Sequence, residues 1–187
     1  MDHIDYKQMN NNFTQEKVEK INSIVVVDRS VNPARFSTYT TTWSQTMVLN
    51  VEIAKKLKIE GVKSILNIHP ESDLQLKEFY LQFYDEVVVG GFERNLHLGD
   101  AYYFPHHLST STLVPALMTK KPIFILDTIK EFIFESFSNE MFDRMEIGKA
   151  YFDDNDKIVV DYNHLINKIK NYKHRDKVDL IQEYLIP

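Results

Sequence analysis

Five short apolar runs, set between stretches with helical periodicity, constrain this chain more than any other feature. They are Ile24-Val25-Val26-Val27, residues 62–68 (VKSILNI), 86–90 (EVVVG), 101–105 (AYYFP) and 122–126 (PIFIL). A run rich in β-branched or aromatic residues and bounded by polar ones reads as a strand buried on both faces. Between the first two runs Met47, Val51, Ala54 and Leu57 recur at spacings of three and four. That spacing predicts a helix over 43–58 with one buried stripe, ended by Gly61. A second amphipathic helix is expected over 71–84 and a third over 109–119. From Ile129 onward the pattern predicts helices and short turns, with one or two closing helices over 162–184. Strands alternating with helices at this spacing make parallel βαβ units, so the expected class is α/β, a doubly wound parallel sheet with flanking helices.

No internal repeat and no Pro- or Gly-rich linker divides the 187 residues. The expected organisation is one unit over 21–187 behind a polar lead over 1–20, flexible or helical, that carries Asn10-Asn11-Asn12. A chain of this length buries a sizeable core without covalent staples. The absence of cysteine excludes disulfides, a thiol nucleophile and Cys-zinc sites, and it leans toward a reducing compartment. With a net charge of -5 and Lys and Arg scattered along the chain, no basic track exists for a nucleic-acid backbone. The first residues lack a basic region followed by an apolar stretch, and no apolar run approaches the roughly 18 residues that span a bilayer. A soluble, cytoplasmic protein with at most peripheral membrane contact is the expectation.

In an open parallel sheet, ligands bind outside the carboxyl ends of the strands. That rule selects His69-Pro70, Gly90-Gly91, the segment from His106 and His107 to Ser109 and Thr110, and Asp127-Thr128. Ser109, Thr110, Ser111 and Thr112 stand where the third helix should begin. Hydroxyls there would join the unsatisfied N–H groups and partial positive charge of a helix start in cradling a phosphate. The same residues also read as a simple helix cap, which needs only one hydroxyl. His69, ending a strand and followed by Pro70, would aim its imidazole at the same rim, to donate a hydrogen bond to a phosphate or act as general acid. Its other reading is a strand-end histidine bonded to backbone.

The order Ile65-Leu66-Asn67-Ile68-His69-Pro70, Gly99-Asp100, Ser109-Thr110-Ser111-Thr112, Ala116-Leu117 and Lys120-Lys121-Pro122-Ile123-Phe124-Ile125-Leu126-Asp127 resembles the C-terminal, donor-binding half of GT-B glycosyltransferases. It is most similar to bacterial enzymes of capsule and lipopolysaccharide assembly with an His-Pro motif and a later Ser/Thr pair, of the sialyltransferase and polysialyltransferase type. The resemblance covers roughly residues 23–184. It implies a Rossmann-like half of GT-B type and an inverting, metal-independent transfer of sialic acid or a similar acidic sugar from a CMP- or CDP-linked donor to a surface glycan. It implies that His69 contacts the donor phosphate and assists its departure. Ser109, Thr110 and Ser111 would hold the phosphate, and Gly90, Gly91, His106 and His107 would lie beside the nucleotide. Two departures stand out. Pro115 occupies the region where many such domains carry a ribose-binding Glu, and the chain has length for one Rossmann-like unit where the family has two. Catalysis would therefore need an acceptor domain from elsewhere, or a homo-oligomer, to supply the base; Glu71 and Asp73 are read as helix-dipole partners.

Other chemistries are weaker. His97, His106 and His107 with Asp100 hold the right atoms for zinc or iron, but adjacent histidines rarely ligate one ion, so no metal is expected. Strand one runs into Asp28-Arg29-Ser30 without the glycines of a dinucleotide fingerprint, and neither a Walker A loop nor Gly-x-Ser-x-Gly occurs. No cofactor is expected beyond the substrate nucleotide sugar. Residues Phe132-Ile133-Phe134-Glu135-Ser136-Phe137 read as core, or as an apolar surface meeting a second domain. The alternative function is a non-catalytic α/β module that binds a nucleotide or a protein.

Overall fold

Strand β1 (Ser23–Val27) is the centre of the architecture because its Ile24, Val25, Val26 and Val27 are buried on both faces. Around it lie β2 (Lys63–Ile68), β3 (Glu86–Val89), β4 (Ala101–Phe104), β5 (Ile123–Asp127), β6 (Met145–Phe152) and β7 (Ile158–Val160). They form one sheet in the order β3-β2-β1-β4-β5-β6-β7. The first six strands of that order run parallel, and β7 pairs antiparallel with β6. The arrangement comes from a computed structural model that describes residues 18–28, 43–72, 75–105, 110–119, 121–127, 145–155 and 157–173. Strand order reverses between β1 and β4, which defines a Rossmann-like, doubly wound α/β fold with its switch point at β1.

Successive residues of a strand point to opposite faces. Ile24 and Val26 of β1 therefore join Leu66, Ile68, Tyr103, Phe124 and Leu126 in one core, while Val25 and Val27 join Ile65, Tyr102, Phe104 and Ile125 in another. The first core is covered by helix α1 (Trp43–Ile59) through Leu49, Ile53 and Leu57, by α2 (Gln75–Tyr80) and by α4 (Tyr162–Lys170). The second is covered by α3 (Thr110–Met118) and the 3-10 turn Phe92–Arg94. Each fully buried large apolar side chain in these cores contributes about 1.5–3 kcal/mol relative to exposure. α1 ends as the sequence predicts. Gly61, at φ +69°, lets its own N–H reach the Lys58 carbonyl and Val62 N–H reach the Leu57 carbonyl, and Val62 and Leu57 are both buried.

At the amino edge of the sheet, two Ser–Asp pairs set the register of neighbouring parallel strands. Asp100, just before β4, accepts at Oδ2 from Asn22 N, Ser23 N and Ser23 Oγ. Asp85, just before β3, accepts in the same way from Ser64 N and Ser64 Oγ at the start of β2. Lys121 closes the same edge by donating from Nζ to the carbonyls of Leu96, Leu98 and Gly99 at 2.8, 3.1 and 2.7 Å. Gly99 is at φ +63°, and a Cβ there would come within 2.8 Å of Val25 Cγ2.

Three expectations are corrected. Among the described residues the second helix is short, Gln75–Tyr80, because the residues before it are taken up by a turn at His69–Ser72. Glu71 sits in that turn rather than in the first turn of a helix, and Asp73 lies outside the described residues. The stretch expected to be helical after Ile129 holds β6 and β7. They are joined by a hairpin whose Asp153 Oδ1 accepts from Asn155 N and Lys157 N. Pro115 stands inside α3, past its first turn, so it denies the Ser111 carbonyl a helical N–H. The segment 132–137 lies outside the described residues.

Tyr80, Tyr84, Tyr103 and Tyr162 all have phenols pushed well above the usual tyrosine value, first by desolvation and, for Tyr80 and Tyr84, also by the Asp28 carboxylate. A raised folded-state value means the folded protein keeps protons that the unfolded chain releases above about pH 10. The stability tied to these groups is full below pH 10 and lost as pH rises further. Absorbance titration at 295 nm should therefore show these four of the ten tyrosines ionising only together with unfolding. In urea melts Gly99→Ala should cost about 2–5 kcal/mol, from a left-handed backbone plus overpacking. Gly61→Ala, with nothing within 4 Å of its Cβ, should cost only about 1–2 kcal/mol.

Candidate functional site

Strand register brings the carboxyl ends of β1, β2, β3 and β4 to one rim. Val27 pairs with Asn67, Ile68 with Val89, and Val26 with Tyr103, so Asp28, His69, Gly90 and Pro105 leave the sheet within one residue of a common level. α3 begins at Thr110, after β4, and its apolar side packs on the face that holds Val27, Ile65 and Phe104. Alternation along β2 places Asn67 on the same face as Ile65.

His69 is organised by the proline that follows it. Pro70 presets the second position of a turn in which Ser72 N–H donates to the His69 carbonyl at 2.9 Å. Within that turn Glu71 N–H donates to His69 Nδ1 at 3.2 Å. An imidazole whose Nδ1 accepts carries its proton on Nε2, so the edge turned from the turn is a donor. Of the two readings of His69, the turn shows the strand-end histidine bonded to backbone.

Asn67 is the polar residue that the sequence reading passed over. It is buried at the end of β2, where its Nδ2 donates to the Gly90 carbonyl at 3.1 Å and its Oδ1 accepts from Asn95 Nδ2 at 2.6 Å. These bonds hold both ends of the Gly90–Asn95 loop to β2. Gly90 has φ +151°, a conformation open to glycine, and Gly91 precedes the 3-10 turn. The signal was an Asn interrupting an otherwise apolar strand.

A second polar group lies on the opposite face, below the end of β1. Asp28 is buried, and its Oδ1 accepts from Asn50 Nδ2 of α1 at 3.0 Å. Asn50 also donates to Tyr80 Oη at 3.3 Å, and its carbonyl accepts from Tyr84 Oη at 2.7 Å. This network ties α1 and α2 to the strand at the switch point. Asn50 falls on the buried stripe of α1, between Met47 and Ala54, and a polar residue at such a position marks a buried hydrogen-bond partner.

The β2–β3 register sets His69 beside Gly90, and α3, which Thr110 and Ser111 open, packs on the 3-10 turn that follows Gly91. Ser109, His106 and His107 lie outside the described residues, as does Thr128. Asp100 is at the other edge of the sheet, engaged by Asn22 and Ser23, and His97 belongs to the loop leading there. Among the described residues no cluster of three metal-ligating side chains occurs, and no helix is long and apolar enough to cross a membrane.

No family model matches this chain, and no curated protein matches it. Among solved structures it is similar to one titled "crystal structure of AibC", with a TM-score of 0.40 and 12% identity over 72% of this chain. The aligned part spans 36% of the AibC chain.

Replacing Asn67 by Ala should release the Gly90–Asn95 loop and leave the Gly90 carbonyl and Asn95 amide without their partner. The expected loss is about 1–3 kcal/mol in denaturant melts, with faster amide exchange confined to residues 90–95.

Proposed function

We propose that this chain is the donor-binding half of a glycosyltransferase that uses a cytidine nucleotide sugar, with sialic acid or a similar acidic sugar as the group transferred. One observation carries the reading. His69 and α3 follow β2 and β4, the two strands that flank β1, at the switch point, the position where doubly wound sheets bind nucleotides. Strands β2 and β4 are two spacings apart, about 10 Å, so a diphosphate or phosphodiester bridging the rim meets both.

In this reading the helix start and the hydroxyls of Ser109, Thr110 and Ser111 hold the phosphate, and Gly90, Gly91, His106 and His107 border the nucleotide. His69 donates from Nε2 to a phosphate oxygen. As the bond between the anomeric carbon and the phosphate oxygen breaks, negative charge grows on that phosphate and the donated hydrogen bond strengthens. The acceptor hydroxyl attacks from the opposite side of the sugar, and its proton goes to a base supplied by an acceptor domain or a second subunit. Neither a metal nor a further cofactor is required by this scheme.

The turn supports a second reading, a nucleotide- or protein-binding module without turnover, because the Glu71 bond already gives His69 a structural task. Calorimetry with CMP, CDP, UDP and NAD separates the two. The transferase reading predicts selective binding of CMP or CDP. His69→Ala should weaken it about tenfold, and the Ser109→Ala, Thr110→Ala pair should weaken it further. Equal binding of all four, or none, contradicts it.

A further inference from the structure

Parallel strands are usually joined through a helix, whose ladder of hydrogen bonds fixes the connection. Between β3 and β4 only the 3-10 turn Phe92–Arg94 stands in that place. Residues 90–100 carry the chain from the carboxyl rim beside His69 to the amino edge, on the face where Phe92 and Leu96 are buried with Val25, Ile65 and Tyr102. The first part of this crossover takes its shape from one side chain of the neighbouring strand. Asn67 Nδ2 donates to the Gly90 carbonyl at 3.1 Å, and Asn67 Oδ1 accepts from Asn95 Nδ2 at 2.6 Å, so a single buried amide closes the loop at both ends. The Asn95 amide in turn lies against Gly90, where a Cβ would stand 3.7 Å from its nitrogen.

The same loop meets the elements that form the rim. Gly90 N–H donates to the carbonyl of Ile68, the residue before His69, at 3.2 Å. The Phe92 ring meets that of Phe104, the last residue of β4, edge-on with centroids 5.8 Å apart, and α3 packs on the 3-10 turn. A buried amide is costly unless both of its ends are bonded. Both ends of Asn67 go to this loop, and β2 itself receives neither bond.

We infer that Asn67, with Asn95 as its partner, is a positioning residue for the ligand site at the rim. It touches no ligand; it holds the 90–95 loop in the one arrangement that sets the ends of β2 and β4 and the α3 helix against each other. Without that tie the competent arrangement is only a fraction of the loop's population, and the apparent affinity falls by that fraction. The inference rests on the nucleotide reading of the rim and adds what forms the site before ligand arrives.

The test is calorimetry with CMP on the wild-type chain, Asn67→Ala, Asn95→Ala, the double variant and Asn50→Ala, with a thermal melt of each. Asn50 is the control, an equally buried asparagine that donates to Asp28 and Tyr80 on the opposite face. Asn67→Ala should weaken CMP about tenfold and Asn95→Ala about threefold or more. The double variant should bind no worse than Asn67→Ala alone, because the two residues share one bond. Asn50→Ala should lower the melting temperature at least as far as Asn67→Ala and still bind CMP within about twofold of wild type. Asn95 is only half-buried, so its variant keeps the test open if Asn67→Ala does not fold. Unchanged affinity in Asn95→Ala overturns the inference while the nucleotide site stands. An equal loss in Asn50→Ala overturns it too, since affinity would then follow overall stability. A wild type that does not bind CMP overturns the nucleotide reading and this inference together.

Discussion

Everything in this fold leans on β1 and its two parallel neighbours. Four apolar residues in a row, buried on both sides, can be satisfied only at the centre of a sheet with helices on both faces, because their backbone groups need partners on both edges. Pairing with β2 on one edge and β4 on the other meets that need and creates the reversal of strand order. The Ser–Asp pairs at the amino edge then lock register, since a slip of one residue would exchange the faces of every strand side chain. The rim at the carboxyl edge is a consequence of that register.

Energetically, the two edges of the sheet behave differently. At the amino edge Asp85, Asp100 and Lys121 are consumed by backbone groups, and Gly99 allows the chain to pass against Val25. At the carboxyl edge the polar groups are positioned by a deeper layer, with Asn67 beneath the Gly90–Asn95 loop and Asn50 beside Asp28.

Strands β1, β2, β4 and β5 were legible because burial on both faces writes a largely apolar run, and β3, at the sheet edge, because of Val87-Val88-Val89. β6 was not, since it alternates Glu146, Gly148 and Lys149 with apolar residues, and Glu146 and Ile147 are only partly covered. The Asp153–Lys157 turn gave a hairpin signal that the helical expectation hid. Of the site, His69 and the glycines were visible as strand-end residues. Asn67 and Asn50 were not, because their meaning depends on which loop or helix lies over them, and that is a property of tertiary packing rather than of spacing. The Pro115 position shows the converse: α3 tolerates a proline past its first turn because packing of Leu113, Ala116 and Leu117 holds the helix in place.

The central claim is that ligand is bound at the carboxyl rim on the α3 face and nowhere else on the sheet. Amide chemical-shift mapping by NMR during addition of CMP tests it most directly. The account predicts shifts clustered at residues 67–72, 90–95 and 109–113, with Asn22, Asp85 and Asp100 unmoved. Shifts centred on the amino edge, or spread without focus over both helical layers, would contradict it.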